Sequence, residues 1–234
     1  MQAMVDFLAS NWLNLLLTMG IAYLLGSISF AIIVTKLFSH EDIRNTGSGN
    51  AGATNVLRSQ GKLPALLTTL GDLGKSLASV LIGGWLMTRG LDGFRSYPNP
   101  ESYRLIGQYL AGLFCIIGHL HPVFFGFRGG KGVLTTLGMM LILDWRVALI
   151  SLGVFIVIVL FTRMVSLGSI VAAAVMAVLT YVFRMYVYRQ QPQTVWFCTC
   201  MAVLIAGILI YKHRANIGRI LKGTESKLSF GGKK

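Results

Sequence analysis

Residues 133–161 read VLTTLGMMLILDWRVALISLGVFIVIVLF, an apolar run broken only by Asp144-Trp145-Arg146. A helix crosses a bilayer with roughly 20 residues. Read as one helix, the run would put Asp144 and Arg146 near mid-membrane, at about 2.5 to 3.5 kcal/mol each. Read as two short helices, the trio becomes a turn near an interface, with Trp145 in the aromatic belt that such interfaces favour. The second reading costs less, and it makes the number of crossings odd.

Outward from this turn, further apolar stretches run from about Leu13 to Thr35, Leu63 to Met87, Leu105 to Phe125, Leu167 to Phe183 and Val195 to Tyr211. With Val133 to Leu143 and Val147 to Phe161, they predict an all-α, polytopic membrane helix bundle of about seven transmembrane helices. Composition agrees. Of 234 residues, 54% are hydrophobic and only 12% charged, against about 25% charged in ordinary soluble domains. Lipid must therefore be the solvent for much of the surface. A nucleic-acid binder could share the net charge of +13, but not this composition, so nucleic acid is not an expected partner.

An odd number of crossings puts the segments after the first, third, fifth and seventh helices on one side. Lys36, Arg44, Arg58, Lys62, Arg128, Lys131, Arg163 and the seven basic residues from Lys212 to Lys234 fall there. Arg89, Arg95, Arg104, Arg146, Arg184 and Arg189 fall on the other side, and Lys75 lies within an apolar stretch. Basic residues mark the cytoplasmic face, which predicts an N-terminus outside and a cytoplasmic C-terminus. A six-span arrangement would put the basic tail outside. The start of the chain lacks a basic n-region and its first apolar run is long enough to span, so no cleaved signal peptide is expected. Cys115, Cys198 and Cys200 lie in apolar runs without metal-like spacing. They read as small core side chains, and neither a metal nor another cofactor is expected.

Three polar segments, at about 42–58, 118–132 and 213–227, share the basic side of a single domain spanning 1–234. The first contains Gly47-Ser48-Gly49-Asn50-Ala51-Gly52-Ala53-Thr54-Asn55 and ends on Arg58. Glycines let successive backbone N–H groups converge on an anion. Ser48, Thr54 and Asn55 can add donors, and Arg58 offers a planar fork for phosphate oxygens. An ordinary flexible loop does not combine so many donors with such a fork. The second segment runs from Gly118-His119 through His121 to Gly129-Gly130-Lys131-Gly132, directly before a helix. Backbone amides, a helix N-terminus and a lysine can together face a phosphate, although this is not a Walker sequence.

The third segment, His213 to Lys227, follows the last span. If helical, it places His213 and Asn216, and then Asn216 and Arg219, on one face at i, i+3. A tail that merely adheres to lipid has no need of His213. Glu225 reads as an ion-pair anchor among cations. Asp72 and Lys75, at i, i+3 within an apolar helix, are expected to pair and support the site, with direct substrate contact as the sharper alternative. His119 and His121 read as interface packing, with substrate contact by one of them as the sharper alternative.

Together these segments resemble the acyl-phosphate:glycerol-3-phosphate acyltransferases of bacterial membranes. The resemblance covers nearly the whole chain, in order and spacing: Gly26-Ser27-Ile28, the loop from Gly47 to Asn55, Asp72-x-x-Lys75, Gly118 to Gly132, and His213-Arg-x-Asn-Ile-x-Arg followed by Gly223-Thr-Glu. Ser29 departs from the pattern, since many relatives have proline there. The resemblance implies transfer of an acyl chain from acyl phosphate to the 1-hydroxyl of glycerol 3-phosphate, giving lysophosphatidate and inorganic phosphate. This is the first acylation of bacterial phospholipid synthesis, at the cell membrane with the site facing the cytoplasm. It also implies catalytic roles for Ser48, Arg58, His213 and Asn216. Phosphate or substrate binding would fall to Gly47, Gly49, Asn50, Gly52, Thr54, Asn55, Gly129, Gly130, Lys131 and Gly132. Asp72, Lys75, His119, Arg219 and Glu225 would support them. Membrane lipid is an expected partner, as is transient contact with an acyl-phosphate-producing enzyme.

The chemistry suits the residues. An acyl phosphate is already activated, so the enzyme chiefly needs positioning and charge stabilisation. Direct attack by the glycerol hydroxyl is expected, its proton leaving through a substrate phosphate or through His213. A phosphate-ester transporter could use the same loops but would need more polar residues along its helices. A purely structural membrane protein leaves the Gly47 to Asn55 loop unexplained.

Overall fold

The computed structural model describes residues 11–88 and 100–228. Arg89, Arg95, Lys233 and Lys234 of the charge count lie outside the described residues, as does the start of the chain. The chain forms two compact units that divide between Leu143 and Asp144. The first holds α1 (Trp12–Gly26), α2 (Phe30–Ser39), α3 (Ala53–Gln60), α4 (Lys62–Thr88), α5 (Pro100–Leu120) and α6 (Val133–Leu143). The second holds α7 (Trp145–Thr162), α8 (Val165–Val182) with a π-helical turn at Phe183–Val187, α9 (Pro192–Lys212) and α10 (Arg214–Leu221).

The turn that decides the fold is present. Asp144 adopts extended backbone at φ −164° and caps α7. Its Oδ1 accepts from the N–H groups of Arg146 at 3.2 Å and Val147 at 3.3 Å, and from the Tyr188 hydroxyl at 3.0 Å. A carboxylate that terminates one helix and caps the next satisfies first-turn donors that would otherwise lack partners. Trp145 stands exposed beside it. Among the described residues six apolar spans are long enough to cross a membrane, with α1 and α2 together (Trp12–Ser39) counted as one, and α6 is a shorter apolar helix. With 11 residues, α6 rises only about 16 Å, roughly half of a 30 Å hydrocarbon layer.

Lipid as solvent also explains the surface. Phe161 is 86% exposed, Leu160 61% and Val178 63%, and so many large apolar side chains open on successive helices are rare in water. Within the first unit, α1, α4 and α5 pack against one another, and glycines set their closeness. A Cβ on Gly26 would strike the Cys115 carbonyl, and one on Gly118 would strike the Tyr23 carbonyl.

One expectation needs correction. The stretch from Leu13 to Thr35 is not a continuous helix but α1 and α2, separated at Ser27–Ser29. Ser27 Oγ donates to the Tyr23 carbonyl at 2.8 Å, while the Ile28 carbonyl accepts from Lys75 Nζ at 2.8 Å. The ammonium from α4 satisfies a carbonyl that the break removes from the helical ladder. Ser29, at the start of α2, lies at this break.

Candidate active site

The first polar segment is built around Asn55. It is buried in the first turn of α3, and its amide is committed to its own loop. Nδ2 donates to the carbonyls of Ile43 at 3.1 Å and Thr46 at 3.0 Å, and Oδ1 accepts from the Ser48 backbone N–H at 2.9 Å. Gly47 and Gly49 flank Ser48 at φ +56° and +70°, where glycine has no steric penalty. A Cβ on Gly47 would run into Asn55 Oδ1. Ser48 is thereby held, exposed, at the tip of the loop. Arg58 sits one turn beyond Asn55 on the outer face of α3, and shares that face with Thr54 at i, i+4.

Two amides of the expected glycine nest are committed within the loop. The Gly49 N–H donates to Thr46 and the Gly52 N–H to Asn50, both at 3.0 Å, and the Ser48 N–H is on Asn55. The other polar side chains of this segment are Ser48, exposed at the tip of the loop, with Thr54 and Arg58 on α3, at the start of a helix whose first N–H groups have no intrahelical acceptor. Asn55 serves this site by positioning.

The second segment folds back on the end of α5. The Gly129 N–H donates to Leu120 at 3.3 Å and the Gly130 N–H to His119 at 3.1 Å. These two amides cap the helix, and beyond them the half-buried Lys131 leads into the start of α6. A Cβ on Gly130 would strike His119 Nε2 and approach the Ala51 carbonyl to 2.5 Å. Gly130 is therefore where the second segment packs against the first. Gly130→Ala is expected to lower turnover about 10-fold or more by separating the two, in line with the cost of small misplacements. Initial rates on folded protein check this, and an undiminished rate would contradict it.

Beneath the loops, Lys75 is 5% exposed and makes three contacts: Asp72 Oδ1 at 2.9 Å, His119 Nδ1 at 2.9 Å and the Ile28 carbonyl at 2.8 Å. Three ammonium protons match three acceptors. His119 Nδ1 also lies 3.6 Å from Asp72 Oδ1, and Nε2 is the nitrogen against Gly130. Asp72, Lys75 and His119 thus connect the break in the first span to the second segment.

Arg44 also joins the two loops. Its Nε lies 3.0 Å from Asp42 Oδ1 and one Nη lies 2.7 Å from Oδ2, while the other Nη donates to the Phe125 carbonyl at 2.6 Å and the Arg128 carbonyl at 3.3 Å. The hydrogen bonds from Arg44 hold the Asp42 carboxyl below its ordinary range, against the smaller effect of burial. Sequence reasoning gave Asp42 and Arg44 no role. An Asp-x-Arg triplet is compatible with a local ion pair, but the carbonyls that complete the site lie more than 80 positions away.

In the second unit, His213 is the joint between α9 and α10 and is buried. Its Nδ1 lies 2.8 Å from the Leu209 carbonyl. A carbonyl can only accept, so Nδ1 carries a proton and Nε2 is the basic nitrogen of the neutral ring. Asn216 Nδ2 donates to Glu225 Oε1 at 2.6 Å, Ser166 Oγ donates to the same oxygen at 2.7 Å, and Arg219 Nε donates to Oε2 at 2.7 Å. Glu225 is therefore an anchor, and Ser166 is a partner that the sequence gave no reason to single out. Burial opposes ionisation of Glu225, but hydrogen bonds from Ser166, Asn216 and Arg219 outweigh it and keep its carboxyl below the ordinary value. A depressed carboxyl stabilises the fold above its unfolded pKa, about 4.3, and that contribution is lost as pH falls through the lower folded value. Limited proteolysis is expected to leave the 223–228 segment protected at pH 6 and to cut it faster below about pH 4. Equal cutting at both values, after correction for protease activity, would contradict this.

Residues 16–223 match the family model for glycerol-3-phosphate acyltransferase. Proteins of that description include one from Jannaschia sp. (strain CCS1), 39% identical over 225 residues, which are 96% of this chain and 98% of the relative. Another, from Clostridioides difficile (strain 630), is 41% identical over 209 residues, 89% of this chain and 92% of the relative. The crystal structure of PlsY (YgiH), an integral membrane glycerol 3-phosphate acyltransferase, in its glycerol 3-phosphate form superposes with a TM-score of 0.75 at 38% identity, covering 92% of this chain and 96% of that one. Its lysophosphatidic acid form gives 0.72 at 37% identity, covering 92% and 95%.

Proposed function

Because the chain belongs to the glycerol-3-phosphate acyltransferase family, we propose that it transfers a fatty acyl group from acyl phosphate to the 1-hydroxyl of glycerol 3-phosphate. The family and the apolar helices make it an integral membrane acyltransferase. Acyl phosphate as donor, the cytoplasmic membrane as location and a cytoplasm-facing site belong to the proposal. The Lys and Arg distribution supports the sidedness. The observation that carries the chemistry is the pair of joined loops in the first unit. One fixes Ser48 within about a turn of Arg58, and the other brings Lys131 to the start of α6.

The step needs no protein nucleophile. The glycerol hydroxyl oxygen attacks the acyl carbonyl carbon, the bond from that carbon to the phosphate oxygen breaks, and the departing phosphate takes the hydroxyl proton. Products are lysophosphatidate and inorganic phosphate. Arg58 and Lys131 bind phosphate oxygens, and the Ser48 hydroxyl and Thr54 add donors as charge develops. His213, through Nε2, and Asn216 serve the same reaction in this proposal. Support for them is chemical: a buried histidine oriented by the Leu209 carbonyl, and an amide oriented by Glu225.

Purified protein given palmitoyl phosphate and labelled glycerol 3-phosphate is expected to form labelled lysophosphatidate and inorganic phosphate in equal amounts. Absence of product across several lipid conditions would overturn the proposal.

A further inference from the structure

Arg44 stands within the first polar segment, yet most of its donors are turned to the protein itself. A guanidinium has five N–H donors. Here Nε and one Nη face the Asp42 carboxylate, and the other Nη reaches the Phe125 and Arg128 carbonyls. Asp42 in turn accepts from the Arg44 backbone N–H at 3.0 Å, closing the turn that begins the first loop. Ser48 lies four residues downstream of this clamp, and Lys131 three residues beyond the Arg128 carbonyl that it grips.

We propose that Arg44, held by Asp42, is a positioning residue that sets the spacing between the Ser48 loop and the Lys131 loop. The proposal rests on the acyl-transfer reading above. Two geometric facts carry it. The acceptors lie on different edges of one planar fork, so a single rigid group touches both loops. All four are carboxylate or carbonyl oxygens of the protein, so four of the five donors are turned to the protein's own groups. The clamp bonds to Phe125 and Arg128 on either side of Gly126 and Phe127, which turn the backbone at φ +66° and +58°. Through it, a shift of one loop is passed to the other. Reacting groups must be held close and aligned, and an error of about 1 Å can cost about 100-fold in rate.

The test compares Arg44→Lys and Arg44→Gln in steady-state assays with palmitoyl phosphate and glycerol 3-phosphate, alongside the wild-type protein. A lysine keeps the charge and a glutamine keeps two donors, but neither reproduces the fork. Both are expected to lower kcat about 10- to 100-fold, with KM for each substrate within about twofold and little change in Tm. A lysine variant with wild-type kcat beside an impaired glutamine variant would show that charge toward substrate matters, and would overturn the proposal. So would a raised KM at unchanged kcat, or full activity in both. If neither variant folds, Asp42→Asn decides the matter, since Arg44 can still grip the two carbonyls. A kcat loss of about 5-fold or more at wild-type KM supports positioning, and unchanged kcat overturns it. Failure of the wild-type protein to make lysophosphatidate would instead overturn the acyl-transfer reading, which keeps the two outcomes separate.

Discussion

Arg58→Ala is expected to lower kcat/KM for acyl transfer by about 100- to 1,000-fold, the usual cost of removing a donor aimed at developing charge. The physical case starts from α3. Asn55 and Val56 bury one face of this eight-residue helix and lock it to the loop, while Thr54 and Arg58 share the other. Truncating an exposed side chain on such a helix changes stability by no more than about 0.5 kcal/mol, so the loss should appear in kinetics and not in Tm. Arg58→Lys should recover only part of the rate, because a point charge does not replace a bidentate fork. The loss should also exceed that of His119→Ala, since His119 supports the loops from beneath. Steady-state rates with both substrates varied check this. Equal losses at Arg58 and His119, or an active Arg58→Ala enzyme, would contradict the ranking of the site.

Lys75→Met is expected to give the largest loss of stability. Removing one partner of a buried ion pair leaves an uncompensated charge, at about 3 to 5 kcal/mol. Here it also strips a donor from the Ile28 carbonyl at the break between α1 and α2, and from His119 below the second loop. Thermal unfolding in detergent should show a large fall in Tm. The Asp72→Asn/Lys75→Met pair should recover part of it, because the stranded carboxylate is then gone. Lys36→Met, at an exposed position, should change little. A single Lys75→Met variant with wild-type Tm would contradict the reading of Lys75 as the brace of the first unit.

Much of this architecture was legible in the chain. Asp144-Trp145-Arg146 announced a turn because ionised groups are too costly at mid-membrane, and the structure shows Asp144 capping α7. The Asp72–Lys75 pair followed from the same cost. Less visible was anything that depends on which partner a group takes once the chain has folded. The break at Ser27–Ser29 falls in a run with no charge and no proline, and what sustains it is an ammonium from another helix. The amides of Gly49, Gly52, Gly129 and Gly130 were legible as donors, but not as donors already committed to neighbouring carbonyls. The Arg44 clamp could not be found from spacing, because its acceptors are backbone oxygens, which every residue carries. Donor type was written in the sequence, whereas donor occupancy was decided by folding.

The central claim is that positioned phosphates, and no acylated side chain, carry the transfer. It is tested most directly by mixing purified enzyme with palmitoyl phosphate alone, quenching within one turnover, and measuring intact and peptide masses. The predicted result is unmodified Ser48 and no burst of inorganic phosphate until glycerol 3-phosphate is added. A palmitoyl adduct on Ser48 that forms without the acceptor, and disappears as lysophosphatidate when the acceptor is supplied, would contradict it.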